Sequence, residues 1–310
     1  MPSNRTASAS RRSVVAWATL LSVASTLPAS AKEPDDVPGL SLPPALVLRK
    51  RAPELQRKLM GVLEGLQRTP QLANLHGVSA HPSISIVPDP DLSVTRANAV
   101  LLLKPIDTSD SGTRIDKKTG RYQGVGEGNK LELKVNDLER LAFDPSQPDN
   151  LYYEPARIGE HQGLPVYQVG GETPILLITA RDRPLWRRVT VSEYLARIAR
   201  EGGPNAEAAK RMAGQLGGGA GNKPACVAKK RGEVVGACEG DNATYYITLS
   251  PKYFNPKKPD AIQLVTVRLG YGSHQSATES FYQQHPLDSL TQAAKAYAQY
   301  DWSQVARLVE

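Results

Sequence analysis

Lys130-Leu131-Glu132-Leu133-Lys134-Val135 sets charge against apolar bulk at every step. A period of two is the mark of a strand with one dry face and one wet face, the pattern of an antiparallel sheet. Further runs rich in Val, Ile, Leu, Thr or Tyr lie on both sides of it, at residues 83–87, 98–104, 164–169, 174–179, 244–249 and 261–269. Each predicts a strand. Upstream, Leu55, Leu59, Val62, Leu63 and Leu66 recur at helical spacing, and Pro53 stands at the first helical position. That segment predicts a helix with one apolar face to bury.

Downstream, Thr190-Val191-Ser192-Glu193 is a capping box: the threonine side chain takes the amide of Glu193, whose carboxylate reaches back. The helix behind it carries Tyr194, Leu195 and Ile198, and Gly202-Gly203 ends it. An alanine-rich helix is predicted over 204–216 and a glycine break over 217–221. A last helix is predicted from Leu287, carrying Leu290, Ala294 and Tyr297. A final turn or two carries Trp302, Val305 and Leu308.

Strands follow strands, and helices stand at the segment ends. This favours an α+β fold of mainly antiparallel sheet with helices packed on one face, rather than a doubly wound one. Residues 144–150 hold two prolines and polar side chains, a weak boundary. The expected organisation is therefore 1–31 signal peptide, 32–50 extended linker, 51–145 N-terminal α+β region and 146–310 C-terminal α+β domain, as two subdomains.

The first 31 residues have the layout of an export signal. Arg5, Arg11 and Arg12 form a basic head without an acid, and residues 14–24 are an uncharged, mostly apolar run. Pro28 follows, and Ala29-Ser30-Ala31 supplies the small residues for cleavage before Lys32. The apolar run is shorter than the roughly 20 residues of a membrane span, and no later run reaches that length, so no transmembrane segment is expected in the mature chain. Ser10-Arg11-Arg12-Ser13 resembles a twin-arginine signal, but the valines after the pair favour the general secretory route. The expected location is the periplasm or the exterior of a bacterial cell.

The net charge is +7, and three arginines of the signal account for part of it, leaving +4 over the mature chain. That is a solubility feature, not the footprint of a specific nucleic-acid binder. The only cysteines, Cys226 and Cys238, fall in the exported part, where an even count predicts a disulfide. Strands at 226–228 and 233–238 around the turn 229–232 would form a cystine hairpin. Closing it stabilises the fold by about 3 kcal/mol in the chain-entropy picture.

No cofactor or metal motif is complete. Gly217 to Lys223 imitates a phosphate loop, but Asn222 and Pro224 stand where Gly and Ser/Thr are required. Lys118-Thr119-Gly120 has no S-x-x-K to serve it. His76, His81, His161, His274 and His285 show no metal-ligand spacing. One group invites an anionic ligand: Arg181, Arg183, Arg187 and Arg188 surround Trp186. The alternative is that Trp186 and Val189 turn inward while the arginines face water.

Two stretches carry a resemblance. Arg183-Pro184-Leu185-Trp186-Arg187-Arg188-Val189-Thr190-Val191-Ser192-Glu193-Tyr194-Leu195, and Tyr253-Phe254-Asn255-Pro256 leading to Ala261-Ile262-Gln263-Leu264-Val265-Thr266-Val267, resemble segments of exported bacterial proteins without an assigned role. The resemblance implies a recurring architecture and brings no catalytic residue. The expected function is non-catalytic binding to a partner protein or an envelope component. The alternatives are an envelope hydrolase using carboxylates or histidine, and a binder of polyanions such as a glycan or phosphate polymer.

Overall fold

The alternating stretch around Leu131 lies in the middle of an eight-stranded sheet. A computed structural model describes residues 33–147, 149–170, 174–217, 219–228, 243–250, 252–270 and 279–310. In chain order the strands are β1 (Ala45–Leu48), β2 (Val78–Asp89), β3 (Val94–Pro105), β4 (Arg114–Ile115), β5 (Tyr122–Gln123), β6 (Asn129–Val135), β7 (Tyr152–Tyr153), β8 (Ala156–His161), β9 (Leu164–Gln168), β10 (Ile175–Thr179), β11 (Trp186–Arg188), β12 (Cys226–Ala228), β13 (Ala243–Leu249) and β14 (Leu264–Leu269). The helices are α1 (Pro53–Gln67), α2 (Pro70–Ala73), α3 (Val191–Glu201), α4 (Ala206–Gln215), α5 (Glu279–Gln284), α6 (Ser289–Gln299) and α7 (Ser303–Ala306).

The large sheet runs β1-β2-β3-β6-β14-β10-β9-β8. Every neighbouring pair is antiparallel except β1–β2. The fold is thus α+β, mainly antiparallel, with helices on the sheet. α1 covers β2 and β3, and α6 covers β3, β6 and β14. Leu55, Leu59, Val62, Leu63 and Leu66 are all buried there, against Ile84, Ala99, Leu101 and Leu133 from the strands. Burying one such leucine contributes about 2 kcal/mol. Trp302, fully buried, anchors the chain end in the same layer, its indole donating to the Tyr297 carbonyl at 2.9 Å.

Four strands of this sheet come from before residue 146 and four from after it. The described residues belong to one unit, Glu33–Glu310. The segment expected as a linker is extended and lies along the sheet. Gly39 donates to Leu75, Leu42 donates to Ala80, and β1 then forms the sheet's edge. Gly39 fits only as glycine, since a Cβ there would stand 1.7 Å from the Val78 carbonyl oxygen.

β2 and β3 are far longer than their alternation predicts, because Pro82, His81 and Ser79 interrupt the apolar pattern at the start of β2. Pro82 is tolerated because its ring nitrogen turns towards the arm. Pro82 falls between the Leu42 N to Ala80 O bond and the start of the β1–β2 ladder at Ala45 and Ser83.

The second face of the large sheet is covered at the β10–β14 end by a smaller sheet. β13 is its centre. β11 pairs with residues 247–249 and β12 with residues 243–245, while β7 pairs with Tyr246 and Ile247. Between β11 and β12 the chain leaves to make α3 and α4 and returns, its ends bridged at Thr190 and Pro224. The capping box of α3 is formed: Glu193 N donates to Thr190 Oγ1 at 3.2 Å, and Thr190 N donates to Glu193 Oε2 at 2.8 Å.

Cys226 is fully buried at the start of β12. Its expected partner Cys238, the second strand of the hairpin, His274, and the cleavage residues Ala29, Ala31 and Lys32 lie outside the described residues. No helix among the described residues is long and apolar enough to cross a membrane.

Candidate binding site

A cleft of about 600 Å³ opens beside β7, where the small sheet meets the ends of β8 and β9. Strand alternation sends the adjacent Tyr152 and Tyr153 to opposite faces of β7. Tyr152 packs edge-on against Phe143 at 5.0 Å, and its hydroxyl donates to the Gln147 carbonyl at 2.8 Å. Phe143 is aimed inward by Ala142, which ends a short 3-10 turn in the left-handed region at φ 59°. Tyr153, 54% exposed, lies 5.1 Å from the ring of Tyr246. Tyr194 of α3 closes on the same ring at 4.6 Å.

The polar member is Glu154. Its backbone amide donates to Tyr245 at 2.8 Å, which fixes its place at the end of β7. One carboxylate oxygen accepts the Arg188 Nε–H at 2.8 Å, and the other stands 3.4 Å from the Trp186 indole nitrogen. The Arg188 guanidinium in turn lies 3.5 Å from the centroid of the Tyr245 ring, a cation–π contact. The carboxylate is therefore neutralised in place by a positioned arginine.

Burial raises the hydroxyl pKa of Tyr246, and hydrogen bonding with Tyr153 and Tyr194 raises it further. Burial also raises Tyr152 and Tyr167. These phenols stay protonated near neutral pH. The lining combines aromatic and aliphatic side chains with hydrogen-bonding groups, and its one carboxylate, Glu154, is paired with Arg188 beside it.

The arginine group expected from the sequence is brought only partly to this place. Trp186 is half-buried, with Phe143 at 5.8 Å and Tyr167 at 5.4 Å, both edge-on. Arg188 holds Glu154. Arg187 points elsewhere and pairs with Glu193 at 2.9 Å. Arg183 donates to the carbonyls of Tyr253 and Glu310 at 3.2 and 2.6 Å. Arg181 lines a different cleft of about 570 Å³, with Thr179 and Glu310. The five residues do not form one surface, and Val189 is buried as the inward reading has it.

Phe143, Tyr152, Tyr153, Glu154 and Tyr246 carried no sequence motif. The one available cue was the pair of tyrosine doublets, Tyr152-Tyr153 and Tyr245-Tyr246, the chain's only two.

For a hydrolase, titratable groups have to converge where a substrate can reach them. Ser79 and His81 stand 2.8 Å apart, but Ser79 is fully buried. His76 and His285 hold Asp36 and Glu33 of the N-terminal arm at 2.8 and 2.9 Å. His161 stacks on Tyr297. None of these four histidines lines the aromatic cleft or the cleft at Arg181.

No protein family, curated protein or solved structure matches this chain.

Proposed function

We propose that the protein is a non-catalytic binding protein that holds a neutral, hydroxylated component of the cell envelope, a glycan chain, in the aromatic cleft. The observation that carries this reading is a cleft of about 600 Å³ lined by Phe143, Tyr152, Tyr153, Tyr246 and Glu154, in which Tyr153 is the exposed ring and Glu154 is held by Arg188 from outside the lining. Rings offer broad, rigid contact area at low entropic cost, and the phenols keep a polar tip for a wet ligand. The ion pair presents acceptors and donors together without net charge, which suits hydroxyl groups and gives no advantage to an ionic ligand. The export signal expected at the N-terminus places such a ligand within reach.

The test is calorimetric titration of the purified chain with a panel of neutral oligosaccharides, including N-acetylated hexosamine chains, alongside polyphosphate and a sulfated glycan. The expected result is binding of a neutral oligosaccharide, insensitive to added salt, and weakened at least about tenfold by Tyr153→Ala. Tyr153 is exposed, so that variant folds. Failure of every neutral oligosaccharide to bind, or unchanged binding by Tyr153→Ala, overturns the reading. Salt-sensitive binding of the polyanions alone moves the function to the arginines.

A further inference from the structure

The two edges of the large sheet are treated very differently. β8 is guarded. A register shift between Arg157 and Gly159 bends it, and Arg157 and Glu160 pair across it. Bulges and charges on an edge are the usual devices against unwanted strand pairing. β1 has neither. Its four residues are Ala45, Leu46, Val47 and Leu48, and the last three are 44%, 54% and 44% exposed. It pairs with β2 in an unbroken parallel register, from Ala45 with Ser83 to Leu48 with Ile86.

In a parallel ladder alternate residues turn both backbone groups to the same neighbour. Arg49 N donates to Ile86 O, so Arg49, Val47 and Ala45 face β2. The amides and carbonyls of Leu46 and Leu48 then face away, and no described residue pairs with them.

The charge beside this edge is one-sided. Arg49-Lys50-Arg51 follow β1 directly. Lys50 is taken by Asp260 at 2.8 Å and by Thr95. Arg49 and Arg51 are exposed and meet no carboxylate among the described residues. A second copy paired antiparallel about Val47 would set Arg49 and Arg51 against Ala45 and Pro43 of that copy, leaving both cations unmatched.

We infer that β1 is a docking edge for an extended segment of another protein, added antiparallel as a ninth strand. That segment has apolar residues opposite Leu46 and Leu48, and acidic residues at its N-terminal end, against Arg49 and Arg51. Main-chain bonds supply the affinity of such strand addition, and side chains supply its selectivity. The acidic pair fixes direction and register. This edge involves no residue of the aromatic cleft, so its failure and that of the glycan reading are separable.

The probe is the capped peptide Asp-Thr-Asp-Val-Thr-Val-Thr, which sets its aspartates against Arg51 and Arg49 and its valines against Leu48 and Leu46, and its control carries lysines in place of the aspartates. Hydrogen exchange of the full chain is read at the Leu46 and Leu48 amides, with affinity measured by fluorescence anisotropy. The expected result is protection of those two amides by the acidic peptide, at least about tenfold tighter binding than the control, and reversal of that preference in the exposed double variant Arg49→Glu/Arg51→Glu. Leu46→Pro removes an outward amide without touching the β2 ladder, and is expected to abolish the protection. Equal binding of both peptides, or binding that survives Leu46→Pro, overturns the inference. Protection already present without peptide also overturns it. If that protection grows with protein concentration the occupant is a second copy, and if it does not, the chain's own N-terminal residues fill the edge.

Discussion

The side-chain oxygen of Asn136 accepts the backbone amides of Gln263 and Leu264, at 2.9 and 3.1 Å, from across the sheet. Its side-chain nitrogen donates to the carbonyls of Thr95 and Ala261, at 3.0 and 2.9 Å. One fully buried amide thus ties the end of β6, the start of β3 and the entry to β14 together. It does so from a left-handed turn, φ 54°, which asparagine tolerates better than most residues.

Asn136→Ala leaves two buried amides and two buried carbonyls without these partners. Each buried group left unsatisfied costs about 1–3 kcal/mol. The expected loss in urea unfolding is about 3 kcal/mol or more. A loss below about 1 kcal/mol would mean that water or a shifted backbone replaces the amide.

His81 gives the fold a dependence on pH. Burial, and then the nearby charge of Lys104, push its pKa from 6.5 down to about 4. Between those values the unfolded chain binds the proton and the folded one does not, so stability falls as pH drops from about 6.5 to about 4 and levels below. The neutral ring shares a hydrogen bond with the Ser79 hydroxyl through its Nε2, and that hydroxyl accepts the Gly124 amide. His81→Gln is expected to flatten that stretch of the stability profile measured by thermal melting at stepped pH. A slope that is unchanged assigns it to other groups.

Gly39→Ala places a methyl group 1.7 Å from the Val78 carbonyl oxygen, a backbone atom that has no rotamer to yield. The arm over residues 33–48 is expected to lose hydrogen-exchange protection while β3, β6 and β14 keep theirs. Retained protection in the arm would show that β2 shifts to accommodate it.

Thr190→Ala removes the cap of α3 and is expected to cost about 1 kcal/mol in urea unfolding. Thr190→Ser keeps the hydroxyl and should restore most of that loss. If both variants behave alike, the cap contributes little.

What the chain disclosed beforehand follows the physics of each element. α1 was legible because one side of it meets a sheet and the other meets water, which writes a 3.6-residue period into Leu55 to Leu66. β6 was legible for the same reason in period two. β8 was not, because both of its faces are exposed or nearly so and no alternation survives. The first half of β2 hid behind Ser79, His81 and Pro82, where Ser79 and His81 bond each other and the amide of Gly124 reaches in from far along the chain. The candidate site was the least legible. Tyr153 and Tyr246 are far apart in sequence, and only the pairing of β7 with β13 makes them neighbours. The arginines around Trp186 stood out locally, yet their carboxylates, Glu154 and Glu193, decide where each one points.

The excursion through α3 and α4 leaves the β13 ladder at Val189 and rejoins it at Ala225, where the amide of Ala225 donates to the carbonyl of Val189. The departing and returning strands thus continue one another along a single partner. Seen from β13, residues 190–224 are a parenthesis, and the sentence reads on without them. A lineage could lengthen or replace that helical pair and keep the strand order of both sheets, so long as the new element still covers Val189, Ala225 and Tyr246. The pair is therefore the place where this architecture can change its surface, and its choice of neighbours, while keeping the aromatic cleft's remaining walls in place.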